Sequence, residues 1–178
     1  PVIDSYRKFQ DLKKREFREY PNRERFRMML EEMNIASSGF NDRMLNEMVT
    51  AHMDGLSSCV IFPVENMSVL EYAAERGYRL SLISNFDYAP AARDILDRYD
   101  LTRYFEHIII SEDVGWRKPK RIIFEIALER LGIDPGEALF TGDNFDADVV
   151  GAKKAGMDAV WINRNNIVKE PGGEKPDY

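Results

Sequence analysis

Three aspartates, Asp143, Asp146 and Asp148, crowd into the stretch ALFTGDNFDADVVG, Ala138 to Gly151. Carboxylates grouped this closely after a short apolar run make a hard-oxygen site suited to Mg²⁺. The same pattern also suits an acidic turn in which Asp146 or Asp148 caps the next helix, and the stretch alone leaves the two readings even. A second group lies where Leu82-Ile83 runs into Ser84-Asn85. It places a hydroxyl and an amide, with backbone N–H groups nearby, where an oxyanion could be held. The third group is the loop Glu112 to Pro119 after Ser111, in which Lys118 precedes a proline tolerated at a helix start. Taken singly, these are a helix cap, a solvated charge and turn residues. Together, at successive strand ends, a hydroxyl, an amide, an ammonium and an acidic pocket describe a phosphate site.

The elements that must position these groups follow from hydrophobic periodicity. The pattern predicts strands over 80–83, 107–110, 138–141 and 159–162, separated by single helices near 90–99, 120–131 and 147–155. Strands joined through single helices pair in parallel by crossover. The expected fold is therefore α/β, a doubly wound, Rossmann-like parallel sheet with helices on both faces, whose strand ends converge on one site. Upstream, Asp4 or Ser5 is expected to cap a helix carrying Tyr6, Phe9, Leu12 and Phe17 that Pro21 closes. A second helix from about Arg23 sets Phe26, Met29, Leu30 and Met33 on one face. A third from about Asp42 turns Met44, Leu45 and Met48 inward, with Gly55 placed to end it. Val60-Ile61-Phe62 is a brief apolar run stopped by Pro63. Ser68 and Glu71 have capping-box spacing, in a helix that Gly77 ends. The expected division is a helical domain over 4–56 and a Rossmann-like core over 57–178.

Composition narrows the function classes. The 178 residues are 44% hydrophobic, enough for one domain core with a small addition. Net charge is -6, and no Lys/Arg-rich block offers a nucleic-acid footprint. No run approaches the length needed to span a bilayer. Cys59 is the only cysteine, which points to a reducing cytoplasm and away from thiolate metal clusters. His107 opens a strand and reads as structural. His52, read as near a helix end, would favour that end when protonated. Trp116 and Trp161 read as packing, and residues 170–178 as an extension ordered only if docked.

The motifs resemble those of the haloacid dehalogenase-like (HAD) hydrolases, over nearly the whole chain. LISNFD is similar to the second motif of that family, VGWRKPKRIIF to the third, and TGDNFDADVVGAKKAGM to the fourth, GDxxxxD followed by GAxxAGM. The resemblance implies that Ser84 binds the transferring phosphoryl group with Asn85 beside it. It implies that Lys118 neutralises the phosphoryl oxygens and the nucleophile, and that Asp143 and Asp148 hold Mg²⁺. The third motif departs from KPDP at Lys120-Arg121. The helices of 4–56 sit where such proteins insert a cap that selects substrate. The implied reaction is hydrolysis of a small phosphorylated metabolite through an aspartyl-phosphate.

The family's first motif, a strand ending in DxDx[TV] that carries the nucleophile, is not matched by Pro1 to Tyr6, and Asp4 reads as a helix cap. Three functions therefore stay open: a Mg²⁺-dependent phosphatase whose nucleophile lies outside these residues, a metal-independent 2-haloacid dehalogenase, or a catalytically silent binding module. Asp143 and Asp148 favour the first over the second. The resemblance also places the first-motif strand between those ending at Ser84 and Thr141. A missing N-terminal segment, or a second copy, is the expected partner that completes the sheet.

Overall fold

The computed structural model describes residues 2–35, 41–168 and 174–178. The backbone divides into two compact units, Pro1–Gly115 and Trp116–Tyr178. In the first unit, α1 (Val2–Glu16), α2 (Asn22–Glu32), α3 (Asp42–Ser58) and α4 (Met67–Glu75) precede β1 (Ser81–Ser84). Then come α5 (Ala89–Arg98), β2 (His107–Ile110) and the single turn α6 (Ser111–Val114). The second unit holds α7 (Arg121–Leu131), β3 (Leu139–Gly142), a π-helical turn (Phe145–Val149), α8 (Val150–Ala155) and β4 (Asp158–Trp161). No helix among the described residues is long and apolar enough to cross a membrane.

The chain is α/β and helix-rich, and all its strand pairing is parallel. β1 pairs with β2 from Ser81↔His107 to Ser84↔Ile110, and β3 with β4 from Leu139↔Asp158 to Gly142↔Trp161. The described strands thus form two two-stranded sheets, each pair joined through a helical crossover as parallel pairing requires. Every strand lies within a residue of its expected position. In the first unit, Val49, Met53 and Ala91 are buried together beneath Phe26, Phe86 and Tyr88. In the second, Ile123, Phe124, Val149, Ala152 and Ala159 are fully buried, and Phe124 meets Phe140 edge to face at 5.1 Å.

The helical segment departs from expectation at its ends. α1 begins at Val2, so Asp4 lies inside its first turn instead of capping it. The helix stops at Glu16, well before Pro21, with Phe17 in the left-handed region at φ 50°. Gly55 does not end α3, which runs on to Ser58. A mid-helix glycine costs about 1 kcal/mol, and here Arg98 offsets it by donating to the Ser57 carbonyl at 2.7 Å and to its Oγ at 2.8 Å. The buried face of α3 is Leu45, Val49, Met53 and Ser57, a strict i, i+4 line that leaves Met44 exposed. Met33, expected on the inner face of α2, is exposed as well.

One short-range signal is misleading. The capping box at Ser68 does not form, because a 3₁₀ turn over Val64–Asn66 leads straight into α4 and Ser68 donates back to the Glu65 carbonyl at 2.8 Å. Val60 to Phe62 is not a strand, and Ile61 is 82% exposed. Residues 176–178, by contrast, are docked. Asp177 donates its N–H to the Ala159 carbonyl at 2.8 Å, its carboxylate takes the Ala159 N–H at 2.8 Å, and Lys153 Nζ lies 2.8 Å from it.

Candidate functional site

The fourth-motif loop is built by glycine and asparagine around one aspartate. β3 ends at Gly142, where a β-carbon would fall 2.3 Å from Asp148 Oδ2 and 2.4 Å from its Cγ. Only hydrogen fits there, so the loop closes with the Asp148 side chain against the backbone of the strand end. Asn144, and not Asp146 or Asp148, caps the following turn: its Oδ1 accepts from Ala147 N at 2.9 Å. Its own N–H donates to Asp148 Oδ2 at 2.9 Å. The helix read at 147–155 opens instead as a π-turn over Phe145–Val149. Such turns are rare and concentrate at functional sites.

Lys118 meets this aspartate. Its Nζ is 2.7 Å from Asp148 Oδ1, with side-chain exposures of 12% and 5%. The ammonium also sits 5.2 Å from the centroid of the Phe140 ring, a cation–π contact that fixes its approach. At that separation the ammonium and the buried carboxylate oxygen form a charge-assisted pair. Gly151 sets the other wall: a β-carbon there would meet Phe124 Cζ at 2.6 Å and the Pro119 Cα at 3.0 Å. The close approach of α8 to the Lys118 loop therefore depends on glycine.

Asp143 is exposed on the same loop. Its carbonyl accepts from Trp161 Nε1 at 3.1 Å, and the Trp161 ring meets Phe145 edge to face at 4.9 Å. Trp161 had been read as packing alone. Its register opposite Gly142 in the β3–β4 ladder is the signal that could have placed it at the loop. Among the described residues no cluster of three or more His, Cys, Asp or Glu side chains is arranged to hold a metal. Of the loop's three aspartates, Asp143 and Asp146 are exposed and Asp148 is buried.

The other expected site residues lie in the first unit. Ser84 is the last residue of β1 and Asn85 follows it, both partly buried. The structure thus groups Ser84 with Asn85, and Lys118 with Asp148 and Asp143. Sequence reasoning missed Ser111, fully buried after β2, whose Oγ accepts the Phe86 N–H at 2.9 Å. It also missed Glu112, which accepts the Ala89 N–H at 2.5 Å. Burial raises the Glu112 carboxyl above the usual range, partly countered by that N–H. His52 contacts Arg25 at 3.0 Å through Nε2, and burial and that guanidinium lower its pKa. α3 continues six residues past it, so the expected role for a protonated His52 at a helix end does not hold.

Comparison with known proteins matches residues 4–162 to the haloacid dehalogenase-like hydrolase model. The chain is 33% identical over 116 residues to the glyceraldehyde 3-phosphate phosphatase of Methanothermobacter thermautotrophicus, covering 65% of this chain and 50% of that protein. It is 34% identical over 152 residues to the phosphoserine phosphatase of Thermus thermophilus, covering 85% and 58%. The 2-haloacid dehalogenase of Pseudomonas syringae has the same fold, with a TM-score of 0.66 at 23% identity over 95% of this chain and 82% of that one. The chain spans half the length of the first relative and somewhat more of the second. A family match across most of its residues, joined to the Gly142–Asp148 loop and its lysine, shows that the chain belongs to the haloacid dehalogenase-like hydrolases.

Proposed function

We propose that these residues are the phosphate- and metal-binding part of a Mg²⁺-dependent phosphatase acting on a small phosphorylated metabolite. The observation that carries this is the buried Asp148 carboxylate against the end of β3, whose Oδ1 faces the Lys118 ammonium at 2.7 Å. That oxygen, with the exposed Asp143 carboxylate on the same loop, is a fitting donor set for a hard cation that retains most of its waters. Mg²⁺ held there would offset negative charge on a phosphoryl group. Lys118, confined by Phe140 and Asp148, keeps a fixed positive charge beside the same loop. Ser84 and Asn85 supply a hydroxyl and an amide as phosphoryl-oxygen donors.

The nucleophilic aspartate of the proposed reaction lies outside these 178 residues. The string Asp146-Ala147-Asp148-Val149-Val150 has the DxDx[TV] spacing, but it stands in the π-turn away from a strand end. In the complete reaction a carboxylate oxygen attacks phosphorus, the alcohol leaves with a proton from a neighbouring acid, and water cleaves the acyl phosphate. The helices of 4–56 act as the substrate-selecting cap. The names of the two relatives, both phosphatases of small phosphorylated metabolites, favour phosphate monoesters over haloacids.

The test has two arms. The 178-residue chain should release no phosphate from p-nitrophenyl phosphate above background, while a protein extended upstream by the family's first strand should do so with Mg²⁺. Clear Mg²⁺-dependent turnover by the shorter chain would place the nucleophile within it and overturn the assignment. Calorimetry should show Mg²⁺ heats for the wild type that Asp143→Asn weakens, and equal heats for the two would remove the metal site.

A further inference from the structure

Beneath the loop that follows Ser84 and Asn85 lies a buried ionic network that the proposed reaction does not use. Lys13, on α1, has a side chain only 2% exposed, with its Nζ 2.6 Å from Glu19 Oε1 and 2.9 Å from Asp87 Oδ2. Glu19 is equally enclosed, and its other oxygen accepts the Ser111 hydroxyl at 2.6 Å. Ser111 Oγ in turn accepts the Phe86 N–H at 2.9 Å. The Asp87 carbonyl accepts the Asn22 N–H at 2.9 Å. Glu112 donates its N–H to the Phe86 carbonyl at 3.3 Å and accepts from Ala89 N at 2.5 Å. Residues 86, 87 and 89 are therefore each fastened, and the anchors of the Asp87 carboxylate and of the Phe86 N–H lead to Lys13 and Glu19.

Burying an ammonium and a carboxylate is an inefficient route to stability, since apolar groups of similar volume commonly do as well or better. What a fully connected polar network provides is one geometry, because every member constrains its neighbours. The segment so fixed begins directly after Ser84 and Asn85, whose hydroxyl and amide must sit correctly to contact a phosphoryl group. We infer that Lys13 and Glu19 are positioning residues for the Ser84–Asn85 phosphate cradle, acting through Asp87 and through Ser111 and Phe86. The inference rests on the phosphatase reading for its catalytic consequence, but its structural half stands apart from that reading.

Misplacing a binding group by about 1 Å can cost on the order of a hundredfold in rate. In the Mg²⁺-loaded full-length protein, Lys13→Met should lower kcat/KM for p-nitrophenyl phosphate about 10- to 100-fold and weaken competitive inhibition by inorganic phosphate. Glu19→Gln, which keeps an acceptor for Ser111 while removing the charge, should have a smaller effect in the same direction. The double variant Lys13→Met/Glu19→Gln, in which the partly exposed Asp87 is the one carboxylate left without its ammonium, should recover part of the melting temperature without recovering kcat/KM. In parallel, the amide NMR signals of Asn85, Phe86 and Asp87 should move in Glu19→Gln, which is mild enough to fold if Lys13→Met is not. A folded Lys13→Met or Glu19→Gln protein with wild-type kcat, KM and phosphate inhibition would overturn the inference. Unmoved loop amides in Glu19→Gln would overturn it as well. A wild type inactive on phosphate monoesters would instead sink the phosphatase reading, leaving the amide shifts to decide whether the brace holds the loop.

Discussion

Replacing Gly142 by alanine tests how tightly the Gly142–Asp148 loop, the proposed metal site, is drawn against its strand. The added β-carbon would lie 2.3 Å from Asp148 Oδ2, 2.4 Å from Cγ and 2.5 Å from Cβ. Ordinary contact begins near 3.4 Å, so about 1.1 Å of separation must be found. The side chain cannot supply it by a small rotation, because three successive atoms are too close and Asp148 is held between the Asn144 N–H and Lys118. Either the carboxylate leaves, or the strand end and the π-turn separate. Overpacking of this kind costs about 1–3 kcal/mol, and loss of the charge-assisted Asn144 bond adds about 1.5–3 kcal/mol. Urea denaturation should therefore show Gly142→Ala destabilised by several kcal/mol, with weaker Mg²⁺ heats in calorimetry. Gly151→Ala is the control. Its β-carbon comes nearest to Phe124 and Pro119, so it should lose stability while its folded fraction binds Mg²⁺ more nearly as the wild type does. A Gly142→Ala protein with wild-type stability and wild-type Mg²⁺ affinity would refute this account of the loop.

Three further expectations concern charge. Glu112 has its carboxyl pKa raised by burial, so between its unfolded and folded values the folded chain holds the extra proton and stability falls as pH rises through that window. Glu112→Gln, which retains an acceptor for Ala89, should gain on the wild type in denaturation above the window and match it below. Asp177 is shifted the opposite way, its pKa lowered first by Lys153 and then by the Ala159 N–H. The stabilisation it gives is present above the ordinary carboxylate range and is lost as pH falls through the lowered value, so hydrogen exchange at Ala159 should quicken in acid and in Asp177→Asn. His52 has its pKa lowered by burial and Arg25, so it should titrate by NMR below the usual histidine range, and a normal or raised value would contradict the contact with Arg25.

The alternating half of the chain was legible because its signals are local and redundant. Each strand is a short apolar run bounded by a turn, and β1 to β4 fall within a residue of their expected places. Ser84, Asn85, Lys118, Asp143 and Asp148 could be singled out because a parallel crossover sets side chains from strand ends and the loops after them. The helical segment was harder. Whether α3 continues past Gly55 depends on Arg98, forty-one positions along the chain from the Ser57 it holds, and whether Ser68 caps α4 depends on a 3₁₀ turn that precedes it. Neither is visible within a window of one helix. The Lys13–Glu19–Ser111 network was hidden for the same reason, since a lysine and a glutamate in a charged amphipathic stretch read as solvated until the fold buries them.

The exposed face of β3 bears on what completes the sheet. Leu139 is 57% exposed in the middle of an otherwise apolar run, and Thr141, two residues on along the same face, is exposed too. Parallel strands are almost always covered on both faces and flanked by neighbours, yet β3 has one strand partner, β4, among the described residues. β4 is bordered on its own account by Asp177 and Tyr178, whose backbone groups bond Ala159 and Trp161. Within this unit the strand edge without a strand partner among the described residues is thus that of β3, which delivers Gly142 and Asp143 to the loop. A further strand laid along β3 would bury Leu139 and bring its own carboxyl end beside Asp143, which is where the proposed reaction needs a nucleophile. Hydrogen exchange separates the possibilities: in the 178-residue chain the amides of β3 should exchange faster than those of β4, and extension by the family's first strand should slow them selectively. Equal protection of β3 and β4 in the shorter chain would mean that this edge is already closed, and the case for a completing strand would fall with it.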